Sequence, residues 1–333
     1  MTGNMEQAKN MKRKLGWISL TILGLVVLGV SGPSAHAQQG FFTPDDVIKY
    51  TPDWHGERFA DGRPKVPDDI LDRMKRVTLE EAWAVLQQNG FMHQYEDGWL
   101  SIHEGKVLVG RALTATWMPG RPDVQKVLEE EGAKAHRIGA MNAWPVDMLQ
   151  KRDVYTCDHF GLKEGGPSIG DNVGNAIYAK SGTGIVYDGA VRDINGLDEL
   201  PDFIAFVRYY DPSHHYSSLR SGKLLNSTMV SINAPTRIGH VMVMPGDVVL
   251  GRNGGVIFIP PQLAEQVVKY SEETHLRDLF GHQRLQEGKY TAGQIDTRWT
   301  DPIEQDFYQW LKQNEDRLPF PKSRIEEILR ERK

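Results

Sequence analysis

The stretch that decides the fold is residues 170–193, GDNVGNAIYAKSGTGIVYDGAVRD. Gly170 supplies a flexible turn, and Asp171 with Asn172 offers an N-cap for a helix over residues 173–180. Ser181-Gly182 closes that helix. The apolar run 184–187 then makes a buried, parallel-type strand, and Asp188-Gly189 opens the loop at its carboxyl end. Upstream, Val154-Tyr155-Thr156-Cys157 is also strand-like, so strand, glycine-rich loop, helix and strand form one βαβ unit. The predicted fold class is α/β. Ligands in open α/β sheets bind beyond the carboxyl ends of the strands, which places the predicted site at the loop carrying Arg192 and Asp193.

The residue types around that loop suggest a guest. A helix start presents free N–H groups and a positive dipole end, so the start of this helix is predicted to receive a carboxylate or phosphate. Arg192 can grip a carboxylate or enolate oxygen, and the Asp193 carboxylate is a ligand for a hard cation. An Arg-Asp dipeptide alone is as well read as a surface ion pair. Its place within the whole βαβ block moves the balance towards function.

Working outward, Thr78 and Glu81 form a capping box for a helix running to about Asn89-Gly90. Residues 106–117 read as a strand interrupted near Gly110, and residues 121–139 as a helix. Further strands are predicted near 203–207, 240–244, 247–250 and 256–259, with turns at Pro245-Gly246 and Asn253-Gly254. A helix begins at 262–269, and Asp301-Pro302-Ile303-Glu304 announces another, with Asp301 as N-cap. His214-His215 reads as a loop near the site entrance, His159 as a structural histidine, and the scattered tryptophans as core. Neither a GxSxG elbow nor an HExxH helix is read.

The amino terminus reads as a leader. Lys9, Lys12, Arg13 and Lys14 precede an apolar run at 15–30, and Ala35-His36-Ala37 offers a small-x-small cleavage site. That run falls short of the roughly 20 residues needed to cross a bilayer core. Residues 1–37 are therefore expected to be a cleaved signal peptide of a periplasmic or secreted protein with no membrane anchor. The whole chain carries a net charge of −5 and the leader is basic, so the remainder is more acidic still. Nucleic acid is excluded as a partner on that ground. The single cysteine, Cys157, allows no internal disulfide.

Asp171 followed after twenty residues by Arg192-Asp193, with Ala179, Gly184, Val186, Asp188, Gly189 and Val191 between, resembles the RraA-like family. The run from Pro235-Thr236-Arg237 through Pro245-Gly246-Asp247 to Val256-Ile257-Phe258-Ile259-Pro260 is similar to that family's closing strands. The family includes class II 4-hydroxy-4-methyl-2-oxoglutarate aldolases, which also decarboxylate oxaloacetate, and non-catalytic regulators of ribonuclease activity. The resemblance implies a swivelling-type α/β/α domain at 75–270; before it the Pro-, Gly- and Asp-rich segment 38–74 reads as an extended arm, and after it the helix start at Asp301 marks 271–333 as a helical extension. It also implies a homotrimer or homohexamer with sites at subunit interfaces. By the same resemblance Asp193 ligates Mg²⁺ or Mn²⁺, Arg192 contacts a pyruvate-like group, Asp171 holds a metal-bound water, the backbone of Gly170, Asn172, Val173 and Gly174 binds the substrate carboxylate, and the substrate is a small oxo-acid. The expected function is a metal-dependent carbon–carbon lyase, with a non-catalytic oxo-acid-binding or protein-interaction member as the alternative. Active aldolases of the family carry an acidic residue after two intervening residues beyond the Arg-Asp pair; here Ile194-Asn195 intervene and Gly196 stands at that place.

Overall fold

The computed structural model describes residues 42–216 and 225–331; the predicted leader lies outside them. The segment 38–74, expected to be an extended arm, carries two seven-residue helices, α1 (Pro44–Tyr50) and α2 (Asp68–Met74). Helices of two turns show too little period to be read from sequence, and tertiary packing holds them. Ile70, Leu71 and Met74 of α2 are buried in one core cluster with α3 (Leu79–Gln88). α3 starts on the predicted Thr78–Glu81 capping box and stops at Gly90, whose φ is +85°.

β1 (Tyr95–Glu96), β2 (Leu100–Ile102) and β3 (Leu108–Pro119) follow. The expected break in β3 does not occur. Gly110 is there because an added Cβ would lie 2.5 Å from the Arg152 carbonyl oxygen, so the glycine admits the neighbouring chain rather than bending the strand. α4 (Pro122–Lys134) and α5 (Trp144–Met148) lead to β4 (Asp153–Asp158), α6 (Asp171–Ser181) and β5 (Ile185–Val191). Then come α7 (Ile194–Asp198), β6 (Ala205–Tyr210), β7 (Ser227–Ile232), the hairpin of β8 (Thr236–Ile238) and β9 (Val241–Val243), and the hairpin of β10 (Val248–Arg252) and β11 (Gly255–Ile259). Asn253 and Gly254 turn the second hairpin with φ of +52° and +78°, the pairing a two-residue type I′ loop requires.

The sheet runs β1-β11-β10-β3-β4-β5-β6-β2, with β7 also paired to β3. β3, β4, β5 and β6 are mutually parallel and the outer pairings antiparallel. Alternation along β3 separates the faces. Val109, Leu113, Ala115 and Trp117 point to the helical side, where Val109 joins the cluster of α2 and α3 and the other three that of α5 and α6. Leu108 and Ala112 point the other way, into a cluster with Ile238, Val241 and Val243 of the β8–β9 hairpin.

α8 (Ala264–Gln286) runs across the expected boundary at residue 270. Its start packs Ala264, Val267 and Val268 under the sheet, while Leu276 and Phe280 belong to a separate core built with the tail. That tail contains α9 (Ala292–Ile295), α10 (Asp301–Asn314) and α11 (Lys322–Glu331). α10 is capped at Thr300, so Asp301 stands inside the first turn, one place later than predicted. Glu272 of α8 ties the ends of the chain together, accepting from Arg73 of α2 at 2.7 Å and from Arg324 of α11 at 3.0 Å.

Candidate active site at the carboxyl end of the parallel strands

α6 begins two residues earlier than predicted, at Asp171. Gly170 is its N-cap, no side chain caps it, and Asp171 and Asn172 lie inside the helix. The Gly170 backbone, φ −131° and ψ −165°, is open to any residue, so its need for glycine is steric. An added Cβ would meet Asp193 Oδ2 at 2.2 Å and Arg192 Nε at 3.1 Å. The bare backbone at 170 thus brings the start of α6 directly against the Arg-Asp pair.

The strand that delivers the pair is longer than expected. β5 continues through Asp188-Gly189, where the loop was predicted, to Val191, with a register shift between Tyr187 and Ala190. Asp188 faces the hairpin side and accepts from Arg208 Nε at 3.0 Å and from the Gly239 N–H at 2.7 Å. Val191 bridges to Ile169, and the Arg192 N–H donates to the Ile169 carbonyl at 3.1 Å, which aligns residues 169–170 with 191–193. Asp193 has φ +55°, a left-handed conformation unusual for a residue with a side chain, and its carbonyl accepts from the Gly196 and Leu197 N–H groups at the start of α7. Backbone strain of this kind concentrates at functional sites.

Arg192 is half-buried, its Nε 3.5 Å from Asp193 Oδ2 and its Nη1 donating to His214 Nδ1. The adjacent histidines diverge: His214 faces Arg192, while His215 Nε2 and His159 Nε2 each lie 3.0 Å from Ser227 Oγ. The two inner rings stack with centroids 5.3 Å apart, and Trp117 meets both edge-on. Burial holds the His159 imidazole well below its ordinary range, and burial with the nearby charge of Arg192 holds His215 at about 4. Both rings are therefore neutral. The satisfied structural role expected of His159 is met only at Nε2: the ring is buried, and its Nδ1 has no partner among the described residues. Ser227 and Trp117 carry no sequence signal for this role, since only the fold brings β3, β4 and β7 together behind Arg192.

The predicted anion cradle is narrower than the sequence suggested. The Asn172 N–H donates to Asp171 Oδ1 at 2.7 Å and the Gly174 N–H to the Gly170 carbonyl at 2.8 Å, whereas the Val173 N–H has no acceptor among the described residues. Gly174 has a packing reason instead, because a Cβ there would stand 2.2 Å from Leu197 Cδ2. Gly196 lies against Asp171 in the same way, 2.8 Å from Asp171 Cβ to an added Cβ. Contrary to expectation a GxSxG spelling does occur, at Gly166-Pro167-Ser168-Ile169-Gly170. Ser168 is buried, bonded to the Tyr187 hydroxyl, and sits in a loop rather than on a strand-to-helix elbow.

Among the described residues no group of three or more His, Cys, Asp or Glu could enclose a metal. The site instead offers the Asp193 carboxylate, engaged by a protein cation only at 3.5 Å, with Asp171 in the adjoining helix turn. One or two carboxylates completed by water and substrate oxygens is how Mg²⁺ is commonly held, so the residues present fit such an ion and not a thiolate- or imidazole-bound one.

A family model described as RraA-like, Aldolase/RraA, matches residues 68–258. Among solved structures, RraAS2 of Streptomyces coelicolor, described as an unusual member of the RNase ES inhibitor RraA protein family, is 22% identical with a TM-score of 0.53, covering 67% of this chain and 98% of that one. A protein of Pseudomonas syringae pv. tomato is 18% identical with a TM-score of 0.52, covering 70% and 98%. At these identities the likeness to solved structures is one of fold. Since the family model spans more than half of its length, the chain belongs to the RraA-like (Aldolase/RraA) family.

Proposed function

We propose that this protein is a divalent-metal-dependent lyase of the class II pyruvate aldolase type, cleaving a 4-hydroxy-2-oxo acid or decarboxylating oxaloacetate. The observation that carries this reading is the contact at Gly170, where the start of α6, the Arg192 guanidinium and the Asp193 carboxylate meet within one van der Waals shell. Breaking the carbon–carbon bond leaves its electron pair on the pyruvate fragment as an enolate, which then takes up a proton. Arg192, steadied by His214 on one side and Asp193 on the other, would bind the enolate oxygen as its charge develops. The free N–H at the start of α6 would receive the substrate carboxylate. Asp193 would hold Mg²⁺ or Mn²⁺ with Asp171 nearby, and the ion, when bound, supplies electrophilic polarisation of the 2-oxo group. Asp171, partly exposed at the first position of α6, would hold a water beside the ion, the route by which the 4-hydroxyl proton leaves and the enolate carbon is protonated.

The test is pyruvate release from oxaloacetate and from a panel of 4-hydroxy-2-oxo acids, with Mg²⁺, Mn²⁺ or chelator. Arg192→Ala and Asp193→Ala are expected to lose about 10²-fold or more in turnover, the scale of removing one oxyanion donor. Unchanged turnover in both variants overturns the proposal. Gly196 favours a second reading, a non-catalytic oxo-acid-binding protein, because the glycine is packed on Asp171 and leaves no space for an acid there. Saturable oxo-acid binding without turnover under any metal supports it. Export and a trimeric or hexameric assembly complete the proposal. They are checked by the mass of the mature amino terminus and by light scattering of the purified protein.

A further inference from the structure

A cavity lies away from Arg192, between the chain following α1, the segment leading into β1, the β9 end of the hairpin and the turn after β11. It encloses about 300 Å³. Its walls include Tyr50, Phe91, Met242 and Met244, and its polar groups include the carboxyl residues Asp53 and Asp247, with no Lys, Arg or His in the lining. Asp53 is exposed at the rim, whereas Asp247 is only 2% exposed. Asp247 Oδ2 accepts the Met244 N–H at 2.8 Å, and Oδ1 has no protein donor among the described residues. Oδ1 is not among the fully enclosed unpartnered atoms, so it opens onto the cavity, where a ligand's donor can reach it.

We propose that this cavity binds a small organic amine, with its ammonium on Asp247 and its apolar body between Tyr50, Phe91 and the two methionines. The volume is at the lower end of the about 300–1,000 Å³ typical of small-molecule sites, which limits the ligand to a single ring or a short alkyl chain. Two acids without a compensating base give the cavity a negative potential, and aromatic and thioether surface suits the apolar part beside a cation. Burial raises the Asp247 carboxyl to about 7, a cost that an ammonium placed on Oδ1 removes. Tyr50 and Asp53 lie outside the 68–258 segment matched by the family model, so this wall belongs to the chain's own amino-terminal segment. The proposal is independent of the reaction assigned to Arg192.

Benzylamine is the probe, with benzyl alcohol as its neutral counterpart, titrated into the full chain and followed by ligand-observed NMR and calorimetry. Saturable benzylamine binding is expected, at least tenfold tighter than benzyl alcohol, and reduced at least tenfold in Asp247→Asn, whose amide oxygen can still accept the Met244 N–H. Met242→Lys, at a position 62% exposed, tests the site without touching the buried carboxyl: its own ammonium should occupy the cavity mouth and abolish binding. Arg192→Ala should bind the probe as the parent does. No saturable binding, equal affinity for the alcohol, or benzylamine binding undiminished in Met242→Lys overturns the proposal.

Discussion

Gly170→Ala separates the site from the scaffold. The backbone at 170 lies in the extended region that alanine adopts, so the substitution carries no conformational penalty of its own. Alanine is a poorer N-cap than glycine by up to about 1 kcal/mol, and this is offset by the reduced entropy of the unfolded chain, about 0.4–1 kcal/mol. Thermal stability should therefore stay close to that of the parent. The new methyl, in contrast, would stand 2.2 Å from Asp193 Oδ2, where ordinary contact begins at 3.4 Å. The carboxylate must retreat by about 1 Å, and Arg192 with it, a misplacement that costs on the order of 10²-fold when it falls on reacting groups. The assays are a thermal melt, the metal-dependent release of pyruvate, and oxo-acid affinity by calorimetry. Full turnover or full affinity at an unchanged melting temperature would refute the placement of substrate between α6 and the Arg-Asp pair. A collapse in melting temperature would show that Gly170 serves the scaffold instead.

Two further outcomes follow from burial. Phe280 is fully buried, with Trp299 and Phe307 at ring separations of 5.2 and 5.4 Å, so Phe280→Ala should cost about 3–5 kcal/mol, read by urea unfolding on tryptophan fluorescence. A loss under 1 kcal/mol would mean that the carboxyl-terminal core is not closed in solution. His215 is held at about 4 in the fold against an ordinary value near 6.5, so the unfolded chain binds the proton more readily. The neutral ring's contribution is thus present above about pH 6.5 and lost as pH falls towards 4. His215→Gln should flatten that part of the stability profile, and an unaltered slope would contradict the buried, neutral assignment.

Short-range chemistry was legible in the amino-acid order alone. Thr78 with Glu81, Gly182 after Ser181, and Asn253-Gly254 fixed ends and turns because capping and left-handed backbone act within three or four residues. The βαβ block and its Arg-Asp pair were legible because helix and buried strand alternate there in pure form, and the family's spacing reinforced the pattern. α1 and α2 were not legible, since two turns carry too little period against a Pro- and Gly-rich background. The reason for three of the glycines lies in long-range packing. Gly170 admits Asp193, Gly174 admits Leu197 and Gly196 admits Asp171, contacts that depend on how α7 docks on α6. Tertiary packing likewise places Ser227, from a strand far along the chain, between His159 and His215 behind Arg192. The strand register and the bulge in β5 set these meetings, and register is a property of the whole sheet that no local window of sequence contains.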